Sequence, residues 1–133
     1  MSERDQRTTV TNLLKKWDAV AVENPVHPGT PDVNCILGWV ELKWLREWPS
    51  RAESIVKVEH FSPQQKVWLT RRWVKGGSVW LLLQCGAEWL LFDGPRAGKY
   101  VGKVDRRQLV LNANQYWGRK PTAESLAEAI TRS

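Results

Sequence analysis

Hydrophobic positions near the N-terminus recur at the spacing of one helical face. Four apolar residues fall at i, i+3, i+4 and i+7, namely Val10, Leu13, Leu14 and Trp17. This spacing predicts an amphipathic helix from Ser2 to about Trp17 that packs on a sheet. A second helix is predicted from Ser62, which suits an N-cap, to about Lys75, which precedes two glycines. A final short helix is predicted from Thr122 through Ile130.

Between the helices the pattern changes to alternation and short apolar runs, which are typical of strands. Strands are predicted at residues 19–22, 33–37, 39–44, 78–84 and 88–92. The run from Val79 to Leu83 is apolar throughout, as in a strand that is buried on both faces. Strands and helices are interspersed, so the predicted class is α/β, with a mixed central sheet and helices on both faces. A chain of 133 residues is long enough for one domain.

The strands at 33–37 and 39–44 bring chemically active side chains together. Side chains alternate along a strand, so Glu41 and Lys43 share one face, and Leu42 lies on the other. A tight turn at Leu37-Gly38 would pair the two strands and bring Asp32 near the end of the second. Two carboxylates at one place suit a hard divalent cation. The alternative interpretation is a surface hairpin with an i, i+2 charge pair.

Two short motifs resemble a known superfamily. Pro31-Asp32, followed after one short strand and a turn by Glu41-Leu42-Lys43, resembles the signature of the PD-(D/E)XK nucleases. The segment Ser62-Pro63-Gln64-Gln65 is similar to the Ser-Pro-x-Gln of virus-type replication-repair nuclease domains and of phage relatives of Holliday junction resolvases. The resemblance covers roughly residues 3–92 and leaves a basic C-terminal extension, 94–133, unmatched. It implies a restriction-endonuclease-like arrangement for the single domain, 1–133.

The resemblance also implies an activity, namely Mg²⁺-dependent cleavage of DNA, with Mn²⁺ as a substitute for Mg²⁺. The implied catalytic residues are Asp32, Glu41, Lys43 and Gln65. The implied metal ligands are Asp32, Glu41 and the carbonyl group of Leu42. Phage resolvases point toward branched substrates such as four-way junctions. Nicking, restriction-type and repair nucleases would share the motif, and a DNA-binding module without activity is a further alternative.

Several candidate residues have a second interpretation. Gln65 occupies the capping-box position of its helix, where a glutamine is favoured for structural reasons alone. Glu3 is a candidate for the metal site by resemblance, but a carboxylate is also favourable near any helix N-terminus. Glu23 and His27 lie on the loop that approaches the site, where they could contact the site or DNA or be solvated.

Charge favours a polyanionic partner. The chain carries a net charge of +6, and clustered Lys and Arg bind phosphate backbones. Residues 60–87 contain four cations and no acid, and residues 99–120 contain six cations and one acid. We call these the first and second basic zones. Within the second zone, residues 115–120 interleave aromatics with cations, which suits either base stacking or a core anchor with a basic rim.

Nine tryptophans are many for 133 residues. Most are expected in the core, with one or two at an interface or stacked on bases. An interaction protein built around exposed tryptophans is therefore an alternative function. A four-way junction needs two symmetric incisions, and this chain has one Asp/Glu/Lys set. We therefore expect a homodimer that acts on DNA.

Compartment and redox state can be predicted from what the sequence lacks. No apolar run reaches the length of a membrane span, and the N-terminus is unlike a signal peptide. These features predict a cytoplasmic protein without a membrane partner, acting in the host cytoplasm if it is phage-encoded. Cys35 and Cys85 lack metal-site spacing and are expected to be buried free thiols.

Overall fold

The computed structural model, which describes residues 2–132, is built on a mixed six-stranded sheet. Its strands, in both chain and spatial order, are β1 (Val20–Ala21), β2 (Val33–Cys35), β3 (Gly38–Leu45), β4 (Val79–Cys85), β5 (Glu88–Asp93) and β6 (Gln115–Trp117). Neighbouring strands are antiparallel except β3 and β4, which run parallel. A parallel pair needs a long crossover, and the second predicted helix lies in that connection.

Helices cover both faces of the sheet. They are α1 (Glu3–Leu13), α2 (Pro63–Val74), α3 (Gly94–Tyr100), α4 (Arg106–Asn112) and α5 (Ala123–Ala129). Residues of α1 and α5 pack in one core cluster, and residues of α2, α3 and α4 pack in the other. The predicted α/β class is confirmed.

Strand β4 is the centre of both clusters. All seven of its residues are buried, and alternate side chains go to opposite faces: Leu82 packs with the α1 cluster, whereas Leu81 and Leu83 pack with the α2 cluster. The prediction of a strand buried on both faces is confirmed. The strand is Val79–Cys85, one residue later than predicted.

Residues beyond Gly94, which the motif resemblance leaves unmatched, are part of the same core. Strand β6 pairs with β5, and the indole nitrogen of Trp117 donates to Ser125 Oγ at 2.9 Å. Leu126 and Ile130 are fully buried against the α1 side of the sheet. Trp117 is therefore a core anchor, in agreement with the structural interpretation of residues 115–120.

The hairpin turn between β2 and β3 lies one residue earlier than predicted. Ile36 and Leu37 form the turn, and Cys35 pairs with Gly38. The reason is a close approach of backbones: a Cβ on Gly38 would lie 2.2 Å from the Ser78 carbonyl oxygen. Gly38 is therefore required inside the strand rather than in the turn.

Two other predicted elements differ at their ends. Strand β1 has two residues rather than four, and both are exposed. The N-terminal helix ends at Leu13, and the remainder of the predicted segment is a 3₁₀ turn, Lys15–Trp17. Both differences lie at the edge of the sheet, where few contacts extend a regular element. Helix termini in particular often finish in a 3₁₀ turn.

Tryptophans and cysteines occupy the interior. Trp68, Trp80 and Trp89 are buried, and the other six tryptophans are half-buried, so none belongs to the exposed class. Cys35 and Cys85 are free and buried, as predicted. Among residues 2–132, no helix is long and apolar enough to span a membrane.

The loop before β2 lies against the start of α2. Gly29 has φ of +95°, and a Cβ there would come within 2.7 Å of the Gln64 carbonyl oxygen. Asn24 Oδ1 accepts from the backbone N–H groups of Val26 and His27, which closes the preceding turn. The loop therefore reaches Asp32 along a path that is fixed on α2.

Candidate active site

Asp32 is positioned by a hydrogen bond that replaces strand pairing. Strand β2 pairs with β3 only as far as Val33 opposite Val40, so β3 has no strand partner on that side beyond Val40. Asp32 Oδ2 accepts there from the backbone N–H of Leu42 at 2.9 Å. An unpaired N–H in the sheet interior would be costly, and the carboxylate removes that cost.

The carbonyl group of Leu42 lies on the same side of β3 as Asp32. In a strand, the N–H and C=O of one residue point to the same side, and the Leu42 N–H points at Asp32. The side chain of Leu42 packs in the α1 cluster. Asp32 and the Leu42 carbonyl, two of the three metal ligands that the resemblance implies, therefore lie together at the open edge of β3.

Glu41 and Lys43 are neighbours on the α2 face of β3. Glu41 is 2% exposed and Lys43 is 8% exposed, and Lys43 Nζ lies 3.3 Å from Glu41 Oε2. The Lys43 amino group also donates to the His60 carbonyl at 2.9 Å and lies 5.7 Å from the centre of the Phe61 ring. The alternation predicted from the sequence is confirmed, and the pair is buried rather than a surface charge pair.

His60 directs its carbonyl at Lys43 through an uncommon backbone conformation. Its φ is +63°, in the left-handed region that few residues other than glycine adopt. The imidazole is exposed at the pocket mouth, 3.9 Å from Glu59. Nothing in the local sequence marks this conformation.

Burial makes the Glu41 carboxyl group hard to ionise. Burial and the nearby charge of Asp32 raise its pKa from 4.5 to about 8, and Lys43 offsets only part of the increase. Its Oε1 atom is buried and has no hydrogen-bond partner within the described residues. A buried polar atom without a partner is uncommon in proteins; a bound water or ion is one explanation, and a proton shared between Glu41 and the adjacent Asp32 carboxylate is another.

Gln65 completes the capping box of α2 and also contacts Glu41, while its catalytic role stays a prediction. Its side-chain oxygen accepts from the Ser62 N–H at 3.0 Å, while Ser62 Oγ accepts from the Gln65 N–H, so the capping box is complete. Its amide nitrogen donates to Glu41 Oε2 at 2.9 Å. The acceptor end is fixed by Ser62, so the donor end must face Glu41.

An open pocket of about 360 Å³ adjoins these residues. Helix α1 contributes three residues to it that the sequence analysis did not predict as site residues, namely Arg4, Gln6 and Arg7. Gln6 is 1% exposed, and its amide donates to the carbonyl oxygens of Lys43 and Leu82. Gln6 is four residues before Val10, so a polar residue on the apolar stripe was the available signal.

The remaining candidates lie at the rim or outside the pocket. Glu3 lines the pocket but is exposed. Glu23 is exposed and pairs with Arg7 at 3.7 Å. His27 lines a neighbouring cavity instead. Of the predicted residues, the structure thus brings Asp32, Glu41, Leu42, Lys43 and Gln65 together.

The oxygen donors fit a cation that needs few protein ligands. Within residues 2–132, no group of three or more His, Cys, Asp and Glu side chains could hold a metal ion. The available set is two carboxylates and one backbone carbonyl. Mg²⁺ commonly takes one or two carboxylates and keeps several waters, so this set suits Mg²⁺ better than zinc, which needs three or four nitrogen, sulfur or carboxylate ligands.

No protein-family model matches this chain, and no curated protein sequence matches it either. A functional inference must therefore come from the residues themselves and from the motif resemblance. The buried pair of Glu41 and Lys43, with Asp32 beside it, is the feature from which such an inference can start.

We predict that Glu41 makes the unfolding free energy depend on pH. The folded protein keeps the Glu41 proton up to about pH 8, whereas the unfolded chain releases it near 4.5. Stability should therefore fall as pH rises between these values, by several kcal/mol without added metal. Glu41→Gln should remove this decrease. Urea unfolding across the range tests it, with the exposed Glu124→Gln as control; equal pH slopes for Glu41→Gln and wild type would contradict it.

Proposed function

We propose that this protein is a metal-dependent DNA endonuclease that prefers branched DNA, as Holliday junction resolvases do. The observation that carries the proposal is the convergence of Asp32, Glu41 and Lys43 beside an open pocket. Glu41 presents a buried oxygen without a partner to this site. The motif resemblance and the net charge of +6 give further support.

The cofactor of the proposed activity is Mg²⁺, for which Mn²⁺ may be substituted in an assay. Asp32, Glu41 and the Leu42 carbonyl would hold it, since hard cations prefer oxygen ligands. When bound, such an ion lowers the pKa of a water ligand and neutralises charge on the phosphate. Because the pKa of Glu41 is raised, binding of the ion would have to displace the Glu41 proton, and a nearby cation favours that ionisation.

The chain's own residues have separate roles in this proposal. Lys43 supplies positive charge from the sheet interior, where it stabilises negative charge on the phosphate or the nucleophile. Gln65 holds Glu41 through one amide hydrogen and lines the pocket, where its second amide hydrogen can donate to a phosphate or to the attacking water. Arg4 and Arg7 lie on the pocket wall, where they can bind phosphates on either side of the cleaved bond.

Other nucleases and a non-catalytic module remain second candidates. A nicking, restriction-type or repair enzyme would use the same site. A DNA-binding module without activity is less well supported, since binding alone does not need a buried Glu41 with an unpartnered oxygen. An interaction protein built around exposed tryptophans is not favoured, because none of the nine is exposed. The proposal places the activity in the cytoplasm, where DNA is accessible.

One experiment tests the proposal directly. Purified protein is incubated with supercoiled, linear, single-stranded and four-way-junction DNA, with Mg²⁺, with Mn²⁺ and with EDTA. Metal-dependent cleavage of the junction in preference to the linear duplex of the same sequence is expected. Absence of cleavage with either metal would reject the enzymatic assignment.

We predict that Asp32→Asn, Glu41→Gln and Lys43→Ala each lower the cleavage rate by roughly a hundredfold or more. Each substitution removes charge from the site and leaves the basic surfaces intact, so DNA affinity in EDTA should change little. Single-turnover rates and equilibrium binding check both parts. The control is Glu124→Gln, which removes an exposed carboxylate from α5, outside the site. Cleavage by Glu41→Gln at the wild-type rate would refute the assignment of the site.

A second prediction separates the two roles of Gln65. Ser62→Ala removes the cap but leaves the Gln65–Glu41 hydrogen bond, so stability should fall by about 0.5–2 kcal/mol while the rate in the folded fraction is retained. Gln65→Ala keeps the bond from the backbone N–H of residue 65 to Ser62 Oγ but removes the side-chain bonds to the Ser62 N–H and to Glu41, so stability and rate should fall together. Thermal melts paired with single-turnover rates distinguish the two variants. Equal single-turnover rates for Ser62→Ala and Gln65→Ala would show that cleavage does not need the contact of Gln65 with Glu41.

The proposal includes a two-fold homodimer, because one chain has one site and a junction needs two incisions. We predict a dimer, with or without junction DNA, by sedimentation at micromolar concentration. Paired incisions on opposite strands should appear within one binding event. A monomer that nicks a single strand would favour the nicking alternative instead.

A further inference from the structure

A second cavity lies next to the candidate active site and has a different character. It lies between the loop that leads to Asp32 and the C-terminal half of α2, and its volume is about 520 Å³. The residues that matter here are His27, Thr30, Trp39, Trp68, Arg71 and Arg72. We call it the α2 groove. The loop and α2, which form its walls, also contribute to the candidate active site, because the loop ends at Asp32 and α2 begins near Gln65.

The α2 groove is cationic. Arg71 and Arg72 are exposed, and no carboxylate lines the cavity. Within residues 2–132, neither arginine takes part in an ion pair, whereas Arg7, Arg96 and Arg106 each contact an acid. The first basic zone, which contains both arginines, has no acid in its sequence. The positive charge in the groove is therefore not neutralised by the chain itself.

Arg72 is also held in a fixed orientation. Its guanidinium carbon lies 4.5 Å from the centre of the Trp68 ring, and Trp68 is itself held edge-on by Trp39 at 5.5 Å. A stacked guanidinium keeps its N–H groups available in the plane of the fork, which is the geometry that binds phosphate oxygens. A guanidinium that already stacks on a ring loses less conformational entropy when it binds an anion than a freely rotating one does.

The position of the groove relates it to the site. Arg71 lies six residues after Gln65, which corresponds to about 9 Å along the helix axis. The loop touches the start of α2 through Gly29 and the Gln64 backbone, between the pocket and the α2 groove, which share no lining residue. A polyanion bound beside Asp32 and Glu41 would therefore reach the groove by passing over the outside of this contact.

We propose that the α2 groove binds phosphates of the DNA strand a few nucleotides from the bond that is cleaved, and that Arg71 and Arg72 are the receptors. This inference rests on the proposed function for its substrate. The inference also identifies the face of the molecule along which the DNA strand runs, which the net charge alone does not do. Binding at this groove needs no metal, since its cations belong to the chain.

Binding measurements in EDTA test the groove without cleavage. The double variant Arg71→Ala/Arg72→Ala is compared with Lys15→Ala/Lys16→Ala, which removes the same charge from exposed residues of the 3₁₀ turn, outside both basic zones and both cavities. Fluorescence anisotropy with a labelled four-way junction and with a duplex gives the affinity as a function of salt. The groove variant should bind about tenfold more weakly or worse, and its salt slope should decrease by about 1.8. Equal losses for the two double variants would overturn the proposal.

A conservative variant separates charge from orientation. Arg72→Lys keeps the charge but loses the planar fork, so the salt slope should stay near wild type while affinity falls severalfold. Wild-type affinity for Arg72→Lys would overturn the role given to stacking on Trp68. The indole N–H signal of Trp68 should shift with junction DNA but not with millimolar inorganic phosphate. An equal shift with phosphate alone would assign the groove to small anions instead.

The outcomes also distinguish this inference from the proposed function. Binding that depends on Arg71 and Arg72, with no cleavage in Mg²⁺ or Mn²⁺, would support the groove and reject the nuclease. If wild type cleaves DNA and the groove variant has the same cleavage rate and the same DNA affinity, the proposed nuclease activity is supported and binding at the α2 groove is rejected. Thermal melts of each variant confirm that the protein remains folded.

Discussion

A carboxyl group is buried in the middle of the sheet, and the rest of the site follows from that constraint. Moving a charged carboxylate out of water costs several kcal/mol unless other groups compensate. Lys43 and Gln65 compensate only in part, because the pKa of Glu41 remains near 8. At neutral pH the Glu41 carboxyl group therefore keeps its proton.

The short length of β2 creates the space for this site. A longer β2 would continue to pair with β3 and would cover the edge where Leu42 presents its N–H and C=O groups. Instead, the chain leaves the sheet at Val33, and the side chain of Asp32 takes the hydrogen bond that a strand would have taken. The oxygen donors of the site thus occupy the place of a missing stretch of strand. The edge stays open to solvent on that side while the backbone donor is satisfied.

The parts of the structure that depend on local periodicity were predicted correctly from the sequence. Alternation along β3 predicted that Glu41 and Lys43 share a face, and the apolar run of β4 predicted burial on both faces. The start of α2 was predicted from Ser62 because cap chemistry is local. These features depend on residues that are close in sequence.

Features that depend on distant residues were not predicted. Gln6 reaches β3 across 37 positions of sequence, and nothing near it indicates the partner. The turn moved because Gly38 approaches Ser78, which lies 40 residues away. The left-handed conformation of His60 serves the amino group of Lys43. The part of the chain beyond Gly94 has weak local patterns, yet its burial in the core comes from tertiary packing on β5.

The bond between Gln65 and Glu41 makes the first turn of α2 and the site one cooperative unit. Helix ends open more readily than helix centres, and such local opening normally has no effect at a distance. Here an opening of the first turn would release Glu41 from its amide donor and leave a buried carboxyl group held by Lys43 alone. The site can thus be assembled only while this turn of helix is formed. It also restricts position 65 to a side chain with both an acceptor and a donor at that length, which among the common amino acids is glutamine.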